Sequence, residues 1–391
     1  MVRLVGPARN PLPPHTTLRQ AKLSMQFSDV CIESIGYTLP REIWTSDQVE
    51  ARLGPLYERL KLPEGRLELM TGIRERRFWP ADVRPSQVSV ASCHRAIEAA
   101  EISPDRIGLL IHGSVCRDHL EPATACSVHH HLDLTDRCVV YDVSNACLGL
   151  LNGMLQAANQ IELGQIEAAL VVGSEGGRQL VETTIEMLNR KTGLTRKTIK
   201  TAIASLTIGS ASCAVLLAHR NISRTGTRLR AAAVTANTRY HDLCQSRQDQ
   251  AGSGMQPLME TDSEALMMQG IATGKTTLER FFRTTGWDAT TMDKTIGHQV
   301  GEKHRQLLLE SLGLDQQRDF VTFPWLGNTG SAALPVTLAR ACEASFIEPG
   351  DRVGLMGIGS GINCIMIACE WGHTPVVGAE WEGDRIRSAA P

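Results

Sequence analysis

Four short segments of this chain combine residue types that do chemistry with the turns that would present them. Residues 139–150 read as an apolar strand, a polar turn and the start of an amphipathic helix, with Cys147 at the join. A cysteine at a helix N-terminus faces free backbone N–H groups and the positive end of the helix dipole, which favour a thiolate. A thiolate attacks acyl thioesters, and Gly149 permits close approach of backbone or ligand. His298 lies in Ile296-Gly297-His298-Gln299-Val300-Gly301, at the end of a strand and before a helix. Asn328 lies in the glycine-rich turn Gly327-Asn328-Thr329-Gly330-Ser331, again before a helix. Gly357-Ile358-Gly359-Ser360-Gly361 follows an apolar run; position 362 is Ile and no helix follows, so it is not a dinucleotide fingerprint. A turn of that kind can offer backbone N–H groups to an oxyanion. Taken singly, a buried cysteine, a strand-end histidine and an asparagine cap are ordinary structural residues.

The elements around these segments alternate. Apolar runs at 107–115, 138–143, 168–173, 213–218, 229–236, 295–300 and 353–356 are bounded by Gly, Ser, Asn or Asp and predict strands. Helical patterns occupy 87–100, 148–163, 276–285, 302–312 and 334–344. Such alternation predicts an α/β protein with buried sheets. Residues 178–205 and 240–276 depart from it and predict helical insertions that shape a ligand channel. The runs at 168–173 and 353–356 occupy comparable places in two long halves.

Composition narrows the function classes. The chain has 391 residues, 42% hydrophobic and 21% charged, with a formal net charge of -2, which supplies no electrostatic reason to expect nucleic acid. Eleven cysteines occur without a CxxC pair or zinc spacing, the usage of reduced thiols in the cytoplasm. His129, His130 and His131 are consecutive, so on a helix they point about 100° apart and cannot converge on one metal ion. No apolar stretch approaches the ~20 residues of a membrane span. Residues 1–24 carry Arg3, Arg9, Arg19 and Lys22 but no acid, and predict a disordered arm.

The order of the motifs is more specific than any one of them. Cys147 in the first half, then His298, Asn328 in Gly-Asn-Thr-Gly-Ser-Ala-Ala-Leu-Pro, and the late glycine turn resemble the thiolase superfamily, in its ketoacyl synthase III branch. The resemblance implies a five-layered αβαβα fold from two duplicated halves, here 25–210 and 211–372, followed by a flexible tail at 373–391. It implies that Cys147 carries the acyl group, that His298 and Asn328 polarise the second substrate's carbonyl, and that backbone N–H groups of Cys147 and the Gly359–Ser360 turn form another oxyanion hole. It implies no cofactor.

Residues 69–77, 114–122 and 357–364 are similar to OleA-type enzymes, which join two long acyl-CoA chains head to head in bacterial hydrocarbon synthesis. In that group the glutamate of the Leu-Glu-Pro segment, Glu121 here, crosses a homodimer interface and removes an α-proton. Chemistry gives the reason: malonyl donors form a carbanion by losing CO₂, whereas two unactivated acyl-CoA molecules need a base. An apolar acyl channel would raise the Glu121 carboxyl towards neutrality. Arg74, Arg76 and Arg77 are the expected contacts for CoA phosphates. Ser360 replaces a usual glycine, and His-Gln-Val-Gly replaces His-Gln-Ala-Asn, which leaves donor choice open. A malonyl-dependent synthase III served by acyl carrier protein, and a non-catalytic thiolase-like subunit, are the alternatives.

Overall fold

Most of the apolar runs form strands that are buried on both faces. The computed structural model describes residues 25–195, 199–247 and 258–383. Ten strands carry the fold: β1 (Val30–Leu39), β2 (Ile107–Gly113), β3 (Val139–Val143), β4 (Ala168–Glu175), β5 (Ala211–His219), β6 (Arg228–Ala236), β7 (Lys294–Gly297), β8 (Arg352–Gly359), β9 (Asn363–Glu370) and β10 (Val376–Glu380). In β4, Ala168, Leu170 and Val172 enter one apolar cluster while Ala169 and Val171 enter another. Complete burial of a Leu or Val side chain stabilises by roughly 1.5–3 kcal/mol.

The strands form two half-sheets of matching order. The first runs β3-β2-β4-β5-β1 and the second β7-β8-β9-β6, joined where Cys31 lies opposite Arg228. In the first, β2 and β4 are parallel and β4, β5 and β1 antiparallel. In the second, β7 and β8 are parallel and β8, β9 and β6 antiparallel. The repeated pattern is the duplication that the sequence hinted at.

Helices complete five layers. They are α1 (Pro85–Ala100), α2 (Thr124–His131), α3 (Gly149–Glu162), α4 (Arg178–Arg190), α5 (Lys200–Leu206), α6 (Ser263–Thr285), α7 (Glu302–Leu312) and α8 (Ala333–Glu343). Between the sheets, Leu151 and Met154 of α3 and Val336 and Leu338 of α8 pack with Val171, Val215, Leu355 and Ile367. Outside the first sheet, Cys93 of α1 and Val128 of α2 cover Leu110 and Leu170. Outside the second, Phe281 of α6 and Leu308 of α7 cover Met356 and Met366. This αβαβα stack is the five-layered architecture that the resemblance implies. A fourth cluster joins Trp44, Leu56 and Phe78 to α4 and α5 as a cap.

Four expectations change. The segment 240–276 is not a helical insertion throughout: Cys244–Arg247 and Leu258–Thr261 pair as an antiparallel hairpin. Helix α6 then starts at Ser263, capped by Asp262 Oδ1, which accepts from the Ala265 N–H at 3.0 Å. Residues 376–380 of the expected tail form β10, parallel to β1, because backbone pairing continues the first half-sheet there. The run 295–300 yields a strand only to Gly297, which leaves His298 in the loop beyond. The run at 107–115 likewise ends at Gly113. Residues 1–24, read as an arm, and 384–391 lie outside the described residues. His130 and His131 are exposed on α2, while His129 Nε2 lies 3.0 Å from the Thr135 carbonyl oxygen.

Candidate active site

The nucleophile turn is built by close backbone approach. Strand β3 ends at Val143 and α3 starts at Gly149, and Ala146 between them takes a left-handed φ of 45°. An L-residue in that region costs on the order of 1–2 kcal/mol, which the surrounding packing must offset. The Leu148 N–H donates to the Asn145 carbonyl at 2.9 Å and closes the turn on either side of Cys147. A Cβ placed on Gly149 would lie 2.8 Å from the Gly113 carbonyl carbon. Only a residue without a side chain lets α3 seat against the end of β2.

Burial reverses one expectation about Cys147. The helix start favours a thiolate, yet burial first, then the charges of Glu175 and Cys244, push the thiol up to about 12. The resting group is a neutral thiol. Cys244, on the hairpin that sequence reading took for helix, is close enough to act on it.

The second half supplies three turns. A Cβ on Gly359 would stand 3.6 Å from the Cys147 backbone nitrogen, so the end of β8 touches the nucleophile turn directly. Beyond it, the Asn363 Nδ2 donates to Asn145 Oδ1 at 3.0 Å, and Asn145 Nδ2 donates to Asn152 Oδ1 at 2.7 Å. This row of amides ties β9 to the Cys147 turn and to α3. His298 follows β7 and donates its backbone N–H to the Met356 carbonyl of β8 at 3.1 Å. Burial, then the neighbouring His304, push its imidazole down to about 3, so it is neutral. Its Nδ1 is enclosed and has no hydrogen-bond partner among the described residues.

Gln299 was missed as a site residue. It is 3% exposed; its Oε1 accepts from the Thr322 and Phe323 N–H groups at 2.9 and 3.2 Å, and its Nε2 donates to the Gly297 carbonyl at 2.8 Å. It thereby joins the His298 loop to the segment that leads to Asn328. The only signal in the sequence was its place beside the histidine. Asn328 is fixed by its backbone, whose N–H donates to the Thr207 carbonyl and whose carbonyl accepts from Gly209, both at 2.9 Å. Its Oδ1 accepts from the Gly330 N–H at 3.0 Å, which leaves the amide Nδ2 as the group to donate elsewhere.

The remaining expected residues lie farther out. Glu121 is exposed, at the end of a strap in which Arg117, His119, Leu120 and Pro122 are exposed too. Of the three arginines, only Arg74 faces solvent. Arg77 donates to Glu380 at 2.7 Å and to the Pro40 carbonyl at 3.0 Å, and so fastens β10. Arg76 is fully buried, and its Nη2 donates to Ser46 Oγ at 3.1 Å. Among the described residues no group of three or more His, Cys, Asp or Glu side chains is placed to hold a metal ion, and no helix is long and apolar enough to cross a membrane.

Known proteins are similar to this chain in sequence and fold. The family "Thiolase, N-terminal domain" matches residues 69–251, and "3-Oxoacyl-[acyl-carrier-protein (ACP)] synthase III C terminal" matches 282–371. An acyl-CoA:acyl-CoA alkyltransferase of Shewanella oneidensis is 38% identical over 89% of this chain and all of its own length. One from Xanthomonas campestris is 33% identical over 89% of this chain and all of its own length. Among solved structures, a histidine variant of Xanthomonas campestris OleA superposes with a TM-score of 0.83 at 32% identity, over 89% of this chain and 100% of its own. A 3-oxoacyl-(acyl carrier protein) synthase III, FabH, of Xanthomonas oryzae gives 0.83 at 33% identity, with coverage of 89% and 100%.

Proposed function

The chain belongs to the thiolase superfamily of condensing acyltransferases, in the group that holds OleA and the FabH-type synthases, and from that premise we propose that it joins two long-chain acyl-CoA molecules without decarboxylation. The thiol of Cys147 attacks the first acyl-CoA; the new thioester forms, and its proton leaves with CoA as free CoASH. Glu121 of the partner subunit in a homodimer then takes the α-proton of a second acyl-CoA. His298 and Asn328 donate to the enolate oxygen, and backbone N–H groups of Cys147 and the Gly359–Ser360 turn receive the oxyanion of the acyl-enzyme. Attack of the enolate carbon on the thioester expels the Cys147 thiolate, which recovers the proton held by Glu121. The product is a 2-alkyl-3-ketoacyl-CoA, hydrolysed to a β-keto acid.

The observation that carries this reading is the strap of residues 114–122. Its first residues are bonded to Glu175, whose charge reaches Cys147, while Glu121 at its far end is exposed. The outermost strand of the first half-sheet, β3, is an open edge with Val139 53% exposed, which favours pairing between copies. Arg74 is the arginine available for CoA phosphates. The eleven cysteines are all free, as a reducing cytoplasm requires.

The test uses purified protein with one long-chain acyl-CoA and no malonyl donor, following CoA release and identifying products by mass spectrometry. A β-keto acid or its ketone, absent from Cys147→Ala and Glu121→Gln, supports the reading. CoA release that stops at one equivalent, with product only after addition of a malonyl thioester, replaces it with decarboxylative synthase III chemistry.

A further inference from the structure

Glu175 takes no step in the reaction above, yet it joins three of the segments that do. It closes β4, is 6% exposed, and has no cationic partner among the described residues. Its Oε1 accepts from the Val115 N–H at 3.1 Å, the Ser331 N–H at 3.2 Å and the Ser331 hydroxyl at 2.6 Å. Its Oε2 accepts from the Cys116 N–H at 3.1 Å. Three of these donors crowd Oε1 and one lies on Oε2, so the carboxylate is held by four hydrogen bonds from three residues.

The donors come from places that must be in register. Val115 and Cys116 begin the strap that ends in Glu121, and Cys116 Sγ also accepts from the Gly176 N–H at 3.3 Å. Ser331 stands three residues past Asn328, and a Cβ on Gly330 would meet Glu175 Cγ at 2.9 Å and Oε1 at 3.0 Å. Just beyond Glu175, a Cβ on Gly177 would stand 2.8 Å from the carbonyl oxygen of Gly209, the residue whose N–H holds the Asn328 backbone. The charge of Glu175 also reaches Cys147, where it opposes thiolate formation.

We propose that Glu175 is a positioning residue: one buried carboxylate registers the Asn328 turn and the Glu121 strap to each other and to Cys147. This rests on the roles given above to Asn328 and Glu121, while its link to Cys147 does not. The geometry makes condensation, which needs all three segments, more sensitive to Glu175 than acylation, which needs only Cys147 and its oxyanion donors.

The experiment compares Glu175→Gln and Ser331→Ala with the parent enzyme. It measures acyl-enzyme formation from one acyl-CoA, condensation, and the pH profile of Cys147 alkylation by iodoacetamide. In Glu175→Gln the alkylation profile moves to lower pH, while condensation falls about 100-fold, beyond any loss of acylation. In Ser331→Ala the profile stays in place and condensation falls about tenfold, the effect of one charge-assisted hydrogen bond. An unmoved profile in Glu175→Gln, or equal losses of acylation and condensation in both variants, overturns the proposal. If Glu175→Gln does not fold, Ser331→Ala decides by the ratio of the two rates. A parent enzyme that condenses nothing defeats the functional reading alone, because the alkylation profile needs no acyl-CoA.

Discussion

Cys147, His298 and Asn328 sit in turns whose backbone is bonded to buried strands or to the cap, whereas Glu121 ends a strap that is exposed over most of its length. The three pocket residues are tied together by Gly359 against Cys147, by Gln299 between the His298 and Asn328 segments, and by the amide row through Asn145. Beyond Asp118, whose N–H donates to Thr124 Oγ1 at 3.2 Å, no hydrogen bond among the described residues holds the far end of the strap. The difference follows from the work proposed for each region. Groups that stabilise developing charge gain from being fixed before the reaction starts. A base contributed to a second subunit must leave its own protomer's surface.

The largest effect separates the two regions by which step fails. Cys147→Ala lowers condensation by about 10⁴–10⁶-fold and abolishes the acyl-enzyme, as mass spectrometry of the intact protein will show. Glu121→Gln keeps the acyl-enzyme and lowers condensation by about 10²–10⁴-fold. Mixing the two variants as co-folded dimers restores activity in one of the two sites, because that site pairs an intact Cys147 with an intact Glu121 from the other chain. No recovery in the mixed dimer would place the base in the same chain as the thiol and break the comparison.

Stability ranks the two regions in the same order. Gln299→Ala leaves two buried N–H groups without an acceptor and costs roughly 1–3 kcal/mol in urea denaturation. Glu121→Gln, at an exposed position, changes stability by less than about 0.5 kcal/mol. The pocket is also acid-sensitive. His298 and His304 are pushed from the ordinary 6.5 down to about 3 and about 4, chiefly by burial. The unfolded chain therefore binds protons that the folded chain refuses. Stability from these groups is complete well above pH 6.5 and declines as pH falls through 6.5 towards 4 for His304 and towards 3 for His298. His298→Asn flattens this acid limb of Tm against pH; an unchanged limb would mean that the imidazole is not held neutral by burial.

The smallest effect concerns the entrance. Arg74→Ala raises KM for acyl-CoA about two- to fivefold, with an effect that shrinks as salt increases, in keeping with an exposed charge pair. Arg77→Ala leaves KM unchanged, since that side chain is engaged with Glu380 and Pro40. Equal KM changes in the two variants would return Arg77 to the substrate.

The sequence by itself carried the alternation of strands and helices, the motif order and the identity of Cys147, His298 and Asn328 as the polar residues at helix entries. Those features are local: apolar runs choose strands, glycine turns choose breaks, and a side chain at a helix start has few roles. It was silent about Gln299 and Glu175, because their importance lies in partners 23 and 156 residues away. It misjudged Cys147, since dipole reasoning sees the helix start but not the burial that outweighs it. It likewise read 376–380 as a tail, although pairing with β1 makes a strand of that polar-flanked segment. Which residues share a turn is written in the order of the chain; which carboxylate is buried among donors and which is exposed depends on long-range packing, and only the tertiary structure decides it.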